Sequence, residues 1–433
     1  MHSLNETRSA THVLKPMSAV DARMQALDAK IHAVVEDPTN QLEFIELSRR
    51  DHSYSRGVSR LFDMALSYMG DAEKANQNGR PAVWTTGLME APLIYACGTI
   101  PMAVYDLGRL GSAEGAAEIS EDLFDMPKET CSMVTALLGE WYMRRNHSVK
   151  KVVALSTVCE PLNMAYEMIG EYGFDIHRVD QVIKPVHGGE DRLEQMVQYL
   201  TGELEEVAVF LTGKPLDQAK MSLEIARMNR LMAKFRQIIK MRVDNPLYIK
   251  SLPMLFLLMG SGHYFGKPEE YEGLLDDLIE ELENAEFVAS PLGKIIPLTW
   301  VGARGLEFGV FKAVDDLGGA LLSWFTPNPY DRVWREDIPP LEAMARFILD
   351  YFVTGSPVNQ LKYIEKMIEE TGSKGMFFYT YIGCPYGGLH VELFRDYFQK
   401  KGVPSSGLEG SWQVGAPSGQ LTTRVRAFIE MLS

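Results

Sequence analysis

Apolar positions in the first 80 residues recur every three to four residues. After Asp21, a plausible N-cap, Met24, Leu27, Ile31 and Val34 predict one helix. Leu61, Phe62, Ala65 and Met69 predict a second, ending at Gly70, and Asn78-Gly79-Arg80-Pro81 forms a turn. From Pro81 the rhythm changes to short apolar runs alternating with helical ones. Ala82-Val83-Trp84-Thr85 and the run from Lys151 to Leu155 read as strands, and Ile100 to Tyr105 is a further apolar run. Helices are predicted from Met89 to Cys97 with Gly98 as the stop, from Ser112, from Cys131 to Met143 behind Thr130, and from Leu162. Between about Leu193 and Ala285 the pattern is mostly helical, with Met221, Ile225, Met228, Leu231 and Met232 at core spacing. Alternation returns near Gly293. Strands at Lys294 to Leu298 and Ala320 to Trp324 flank a helix from Leu306 to Leu317, and a strand from Met376 to Tyr381 runs through Cys384-Pro385 into a last helix.

This order predicts an α/β protein with two parallel sheets and helical segments between and before them. The expected division is a helical segment over 1–80, an α/β domain over 81–200, a helical segment over 201–290 and a second α/β domain over 291–433. Composition agrees: 433 residues with 46% hydrophobic and 23% charged describe a folded chain too long for one core. A net charge of −15 disfavours nucleic acid, which needs a basic footprint. The longest apolar run, Leu252 to Met259, falls far short of the roughly 20 residues that span a bilayer. The first residues lack the basic-then-apolar order of a secretory signal, so the expected location is cytoplasmic. In that compartment four cysteines are thiols or metal ligands rather than disulfides.

Three cysteines stand in similar contexts. Cys159 and Cys384 each follow a predicted strand and precede a proline and a helix, at the carboxyl edge where parallel sheets bind ligands. Cys131 begins a helix, where the dipole favours thiolate. No Cys-x-x-Cys pair and no ligand-spaced histidine points to zinc, so three thiolates fit an iron–sulfur cluster better. Spacing alone fits three packed core thiols as well. Cys97, inside an apolar run, reads as core packing. The chain lacks a phosphate loop and a dinucleotide fingerprint; Gly302-Ala303-Arg304-Gly305 matches neither. ATP hydrolysis and nicotinamide binding are therefore not expected, and no catalytic residue stands out.

Three landmarks resemble the subunits of 2-hydroxyacyl-CoA dehydratases and the related ATP-dependent benzoyl-CoA reductases. They are Gly79-Arg80-Pro81-Ala82-Val83-Trp84-Thr85-Thr86 leading into Leu93 to Pro101; Cys131-Ser132 with Thr157-Val158-Cys159; and Cys384 followed by Gly402-Val403-Pro404 and the ending from Gly419 to Leu432. The resemblance implies two flavodoxin-like domains and a [4Fe–4S] cluster on Cys131, Cys159 and Cys384. It also implies a related second subunit in a heterodimer and a separate ATP-hydrolysing iron–sulfur activator that injects an electron. The substrate class would be an acyl-CoA, dehydrated through a ketyl radical; in the reductases an aromatic ring is reduced instead. Trp84, Thr85 and Thr86 are substrate-pocket candidates. The chain departs from the pattern where Gly87 stands in place of a serine associated with the exchangeable iron ligand, and where Glu160-Pro161 follows Cys159 instead of aspartate. Those departures suit an electron-relay subunit or an unusual substrate. A reading of another class, a non-enzymatic two-domain scaffold whose cleft binds a small ligand, needs no cluster at all.

Overall fold

The computed structural model describes residues 39–86, 91–106, 113–156, 159–180, 182, 190–305, 307–325, 333–350, 357–412 and 417–433. The chain enters through helices α1 (Thr39–Asp51) and α2 (Arg56–Gln77). The first α/β unit follows: β1 (Ala82–Thr85), α3 (Ala91–Ala96), β2 (Ile100–Ala103), α4 (Ala113–Phe124), α5 (Ser132–Met143), β3 (Lys151–Ser156), α6 (Glu160–Gly170) and β4 (Asp175–Asp180). Four helices come next: α7 (Glu190–Thr212), α8 (Gln218–Asp244), α9 (Ser251–Gly260) and α10 (Pro268–Glu283). The second unit is β5 (Ile296–Gly302), α11 (Gly309–Asp316), β6 (Gly319–Phe325), α12 (Pro340–Leu349), α13 (Pro357–Thr371), β7 (Gly375–Tyr381), α14 (Pro385–Lys400), β8 (Ser405–Gly410) and α15 (Gly419–Met431).

Each unit forms one four-stranded sheet, in the order β2-β1-β3-β4 and β6-β5-β7-β8, and every pairing is parallel. Counted within its own unit, each order is 2-1-3-4, the flavodoxin-like arrangement that the family resemblance implies. The chain turns first to one side of its opening strand and then to the other. A crevice therefore opens between β1 and β3 in one sheet and between β5 and β7 in the other. Parallel sheets carry helices on both faces, and the inner strand β1 and even the edge strand β6 are buried throughout.

The helices between the sheets supply much of the core. All ten residues of α9 are buried. Along α8 the stripe from Met221 through Ile225, Met228, Leu231, Met232 and Phe235 to Ile239 is buried at the expected spacing, and Asp217 caps the helix by accepting from the amides of Ala219 and Lys220. No helix among the described residues is long and apolar enough to cross a membrane.

One helix end departs from the sequence reading. α2 passes through Gly70 and stops at Asn78, ahead of Gly79 with φ +88°. Gly70 lies on an open face, where a Cβ would meet nothing within 4 Å; the helix is held by Val58, Leu61, Phe62, Met64 and Tyr68 on the buried side. Packing outweighs the roughly 1 kcal/mol that an interior glycine costs. The helix expected over Met24 to Val34 lies outside the described residues, as do Met89, Ser112 and Leu306 at three expected helix starts.

Candidate metal-binding site

Each of the three cysteines is the N-cap of a helix. Cys131 precedes α5, Cys159 precedes α6 and Cys384 precedes α14, the last two with proline in the first turn. The chemistry is local. A residue at this position sits beside the unpaired amides of the first helical turn and at the positive end of the dipole. The Cys384 sulfur accepts from Gly387 N at 3.3 Å. Amides of Val134 and Met133 pull the Cys131 thiol pKa down, and that of Leu162 does the same for Cys159.

These three helix starts come from both α/β units, and the segments before Cys131 and Cys384 meet. Gly383 takes φ +76°, and a Cβ there would lie 2.5 Å from Glu129 O and 2.8 Å from Thr130 O. Only glycine lets the turn before Cys131 close on the loop before Cys384. Ser132 N donates to Ile382 O at 3.0 Å, and Trp412 N donates to Ser132 Oγ at 3.2 Å. Cys131 and Cys384 are hydrogen-bonded thiol to thiol, the largest cause of the strongly raised Cys131 pKa; burial adds to it. Cys159 is raised by burial first and also by the charge of Cys384. Cys384 thus acts on both of the others. Cys131 is buried, while Cys159 and Cys384 are half-buried. Cys97 lies apart at the end of α3, its thiol pushed up to about 11 by burial, as a packed thiol should be.

Among the described residues no three His, Cys, Asp or Glu side chains converge closely enough to hold a single metal ion.

Trp84, Thr85 and Thr86 end β1 at the same carboxyl edge, beside β3, and all three are buried. Thr86 Oγ1 accepts from Leu155 N at 3.4 Å, and Arg144 lies 6.0 Å over the Trp84 ring. Gly87 lies outside the described residues. The carboxyl edge of the second sheet holds groups the sequence did not single out. Glu307 is buried, its carboxyl pushed up to about 7 by lost hydration against the hydrogen bond from the Tyr379 hydroxyl at 3.3 Å and one from Ser411 N. Tyr379 stacks on Trp300 at 5.2 Å, and Tyr381 packs on Trp412 at 5.1 Å. Their assembly depends on the β5–β7 register, in which Gly302 pairs with Tyr379, and residue spacing does not reveal it. Behind the cysteine edge, a cavity of about 510 Å³ between α14 and β8 is lined by Thr380, Gly388, Val391, Arg395, Ser405 and Arg424, among others.

Residues 89–432 match the family model described as 2-hydroxyglutaryl-CoA dehydratase, D-component. The chain belongs to that family. No curated protein matches it. As a D-component family member, the chain is a dehydratase-type enzyme subunit of a multi-subunit radical enzyme and works with a partner component. The matched span includes all three cysteines and both sheets but for β1.

Proposed function

We propose that this D-component family member is the iron–sulfur subunit of a 2-hydroxyacyl-CoA dehydratase, holding a [4Fe–4S] cluster on Cys131, Cys159 and Cys384. The observation that supports this reading is that all three cysteines are helix N-caps, Cys131 and Cys384 hydrogen-bonded at the junction of the two units and Cys384 acting electrostatically on Cys159. The donor set fits. An all-sulfur site without histidine or carboxylate suits iron–sulfur chemistry, and amides aimed at the sulfurs stabilise thiolates and tune such a cluster. Three ligands leave one iron of a cube open to a small ligand or substrate. When bound, the cluster supplies one-electron transfer at low potential.

The chain's own residues do the rest. The helix dipoles favour the anionic ligands, the half-buried sulfurs of Cys159 and Cys384 keep the site open to one side, and the packed rings of Tyr381 and Trp412 limit water. The partners belonging to this reading are a related second subunit, a separate ATP-hydrolysing iron–sulfur activator and an acyl-CoA substrate, with a cytoplasmic location.

Anaerobic purification with iron and sulfide analysis tests the proposal. About four iron atoms per chain are expected, lost on Cys159→Ser or Cys384→Ser. A colourless, iron-free protein whose cysteine variants behave as wild type would mark the site as packed thiols in a ligand-binding scaffold. Assays of the assembled complex with 2-hydroxyacyl-CoA and aryl-CoA thioesters separate dehydration from aromatic-ring reduction.

A further inference from the structure

The loop leaving β5 reads Gly302-Ala303-Arg304-Gly305, the glycine-containing segment that matches no phosphate-binding pattern. It lies at the crevice of the second sheet, on the edge that carries Cys384. Its path is fixed by β7. Gly302 takes φ +104°, where a Cβ would sit 2.5 Å from Tyr379 O. Ala303 N donates to that carbonyl at 3.0 Å, and the Trp300 indole donates to Ala303 O at 2.7 Å. Gly305 N donates to the Tyr381 hydroxyl.

Held this way, the Arg304 side chain turns inward and is only 7% exposed. A guanidinium does not lose its proton in a protein, so this loop installs a permanent positive charge in the interior. The Tyr381 phenol marks where the charge acts. After burial, the two strongest influences on it are Arg304, which favours its ionised form, and Cys131, which opposes it. The geometry places the charge on the same edge, in a medium that screens charge poorly. Gly302 at the start of this loop pairs with Tyr379 of β7, and just past the end of that strand Ile382 O accepts from Ser132 N, next to Cys131, at 3.0 Å.

We propose that Arg304 sets the reduction potential of the metal group held by Cys131, Cys159 and Cys384, raising it by favouring the reduced, more negative form. The proposal rests on the cluster reading above. Arg304 acts through its field and not by ligation, as the surroundings of a cluster tune it through charge and hydrogen bonding. One-electron reduction adds one negative charge to the site. The electron comes from an external low-potential donor, in solution dithionite with redox mediators, and the fixed positive charge lowers the energy of that step.

The test is a potentiometric titration of the reconstituted full-length chain, followed by electron paramagnetic resonance, with iron counted on every sample. Arg304→Gln and Arg304→Met remove the charge and keep part of the stem; Arg304→Lys keeps the charge. The expected result is wild-type iron content in all variants, a midpoint shifted to more negative potential in the two neutral variants, and a lysine variant nearer wild type. Full iron with an unshifted midpoint in a folded neutral variant overturns the proposal, and so does an equal shift in the lysine variant. If circular dichroism shows that neither neutral variant folds, Arg304 is a structural residue and the proposal is likewise overturned. A wild-type chain that takes up no iron removes the cluster reading itself, a different failure visible before any variant is made.

Discussion

The clearest residue-scale constraint is Gly383. Its positive φ and the 2.5 Å and 2.8 Å approaches to Glu129 O and Thr130 O leave no room for a methyl group, and both obstacles are backbone. Gly383→Ala should cost about 2–4 kcal/mol, combining left-handed strain with a clash that no rotamer relieves. Urea unfolding measures the loss; an unchanged midpoint would mean that the two loops do not meet. Glu307 carries a second expectation. Its folded pKa, about 7, lies above the ordinary 4.5, so the native state binds the extra proton between those values. Its contribution to stability is complete below pH 4.5 and is lost as pH rises through 7. Glu307→Gln should flatten that decline and leave the variant more stable than wild type at pH 8, by about 1 kcal/mol. The helix-start positions of Cys159 and Cys384 were readable from sequence because strand, cysteine, proline and helix are neighbours in the chain. Glu307, Tyr379 and Arg304 were not, because strand register brings them together.

At the scale of elements, the junction of α1, α9 and α11 is organised by buried polar groups. His52 Nδ1 donates to Ser48 O at 2.6 Å while Nε2 accepts from Lys250 N at 3.1 Å, which fixes a neutral tautomer. Burial pushes its pKa down to about 4. Its contribution to stability is therefore present above pH 6.5 and is lost as pH falls through 4. Asp315 has the opposite sign. It accepts from Ser251 N at 3.1 Å and Ser251 Oγ at 2.5 Å, yet lost hydration pushes it up to about 7. Its share is complete below pH 3.8 and is lost as pH rises through 7. Chemical denaturation from pH 4 to 8 should show His52→Gln losing the acid-side fall and Asp315→Asn losing the decline toward neutral; slopes that match wild type in both would remove this account. Elements with a strong apolar period, such as α8 and β7, were legible in sequence. The edge strands β4 and β8 were not. Asp175-Ile176-His177-Arg178-Val179-Asp180 and Ser405-Ser406-Gly407-Leu408-Glu409-Gly410 have one solvated side and few β-branched residues, so pairing with β3 and β7 defines them more than propensity does.

For the whole molecule, two parallel sheets followed from the alternation of runs and their flavodoxin-like topology from the family resemblance, but the way they meet followed from neither. That junction is built from Ser132 N to Ile382 O, Trp412 N to Ser132 Oγ and the close seat of Gly383, contacts between segments some 250 residues apart. Two proposed ligands, Cys131 and Cys159, lie in the first unit and one, Cys384, in the second. A cluster on them is a cross-link that exists only in the native state, so binding it should add stability by mass action. Removing iron with a chelator under anaerobic conditions should lower Tm by several degrees. Hydrogen exchange should quicken at 127–132, 382–384 and 410–412, while the inner strands β1 and β5 keep their protection, because each sheet retains its own core. A chelated protein that melts and exchanges as the loaded one does would mean that no metal group bridges the two units.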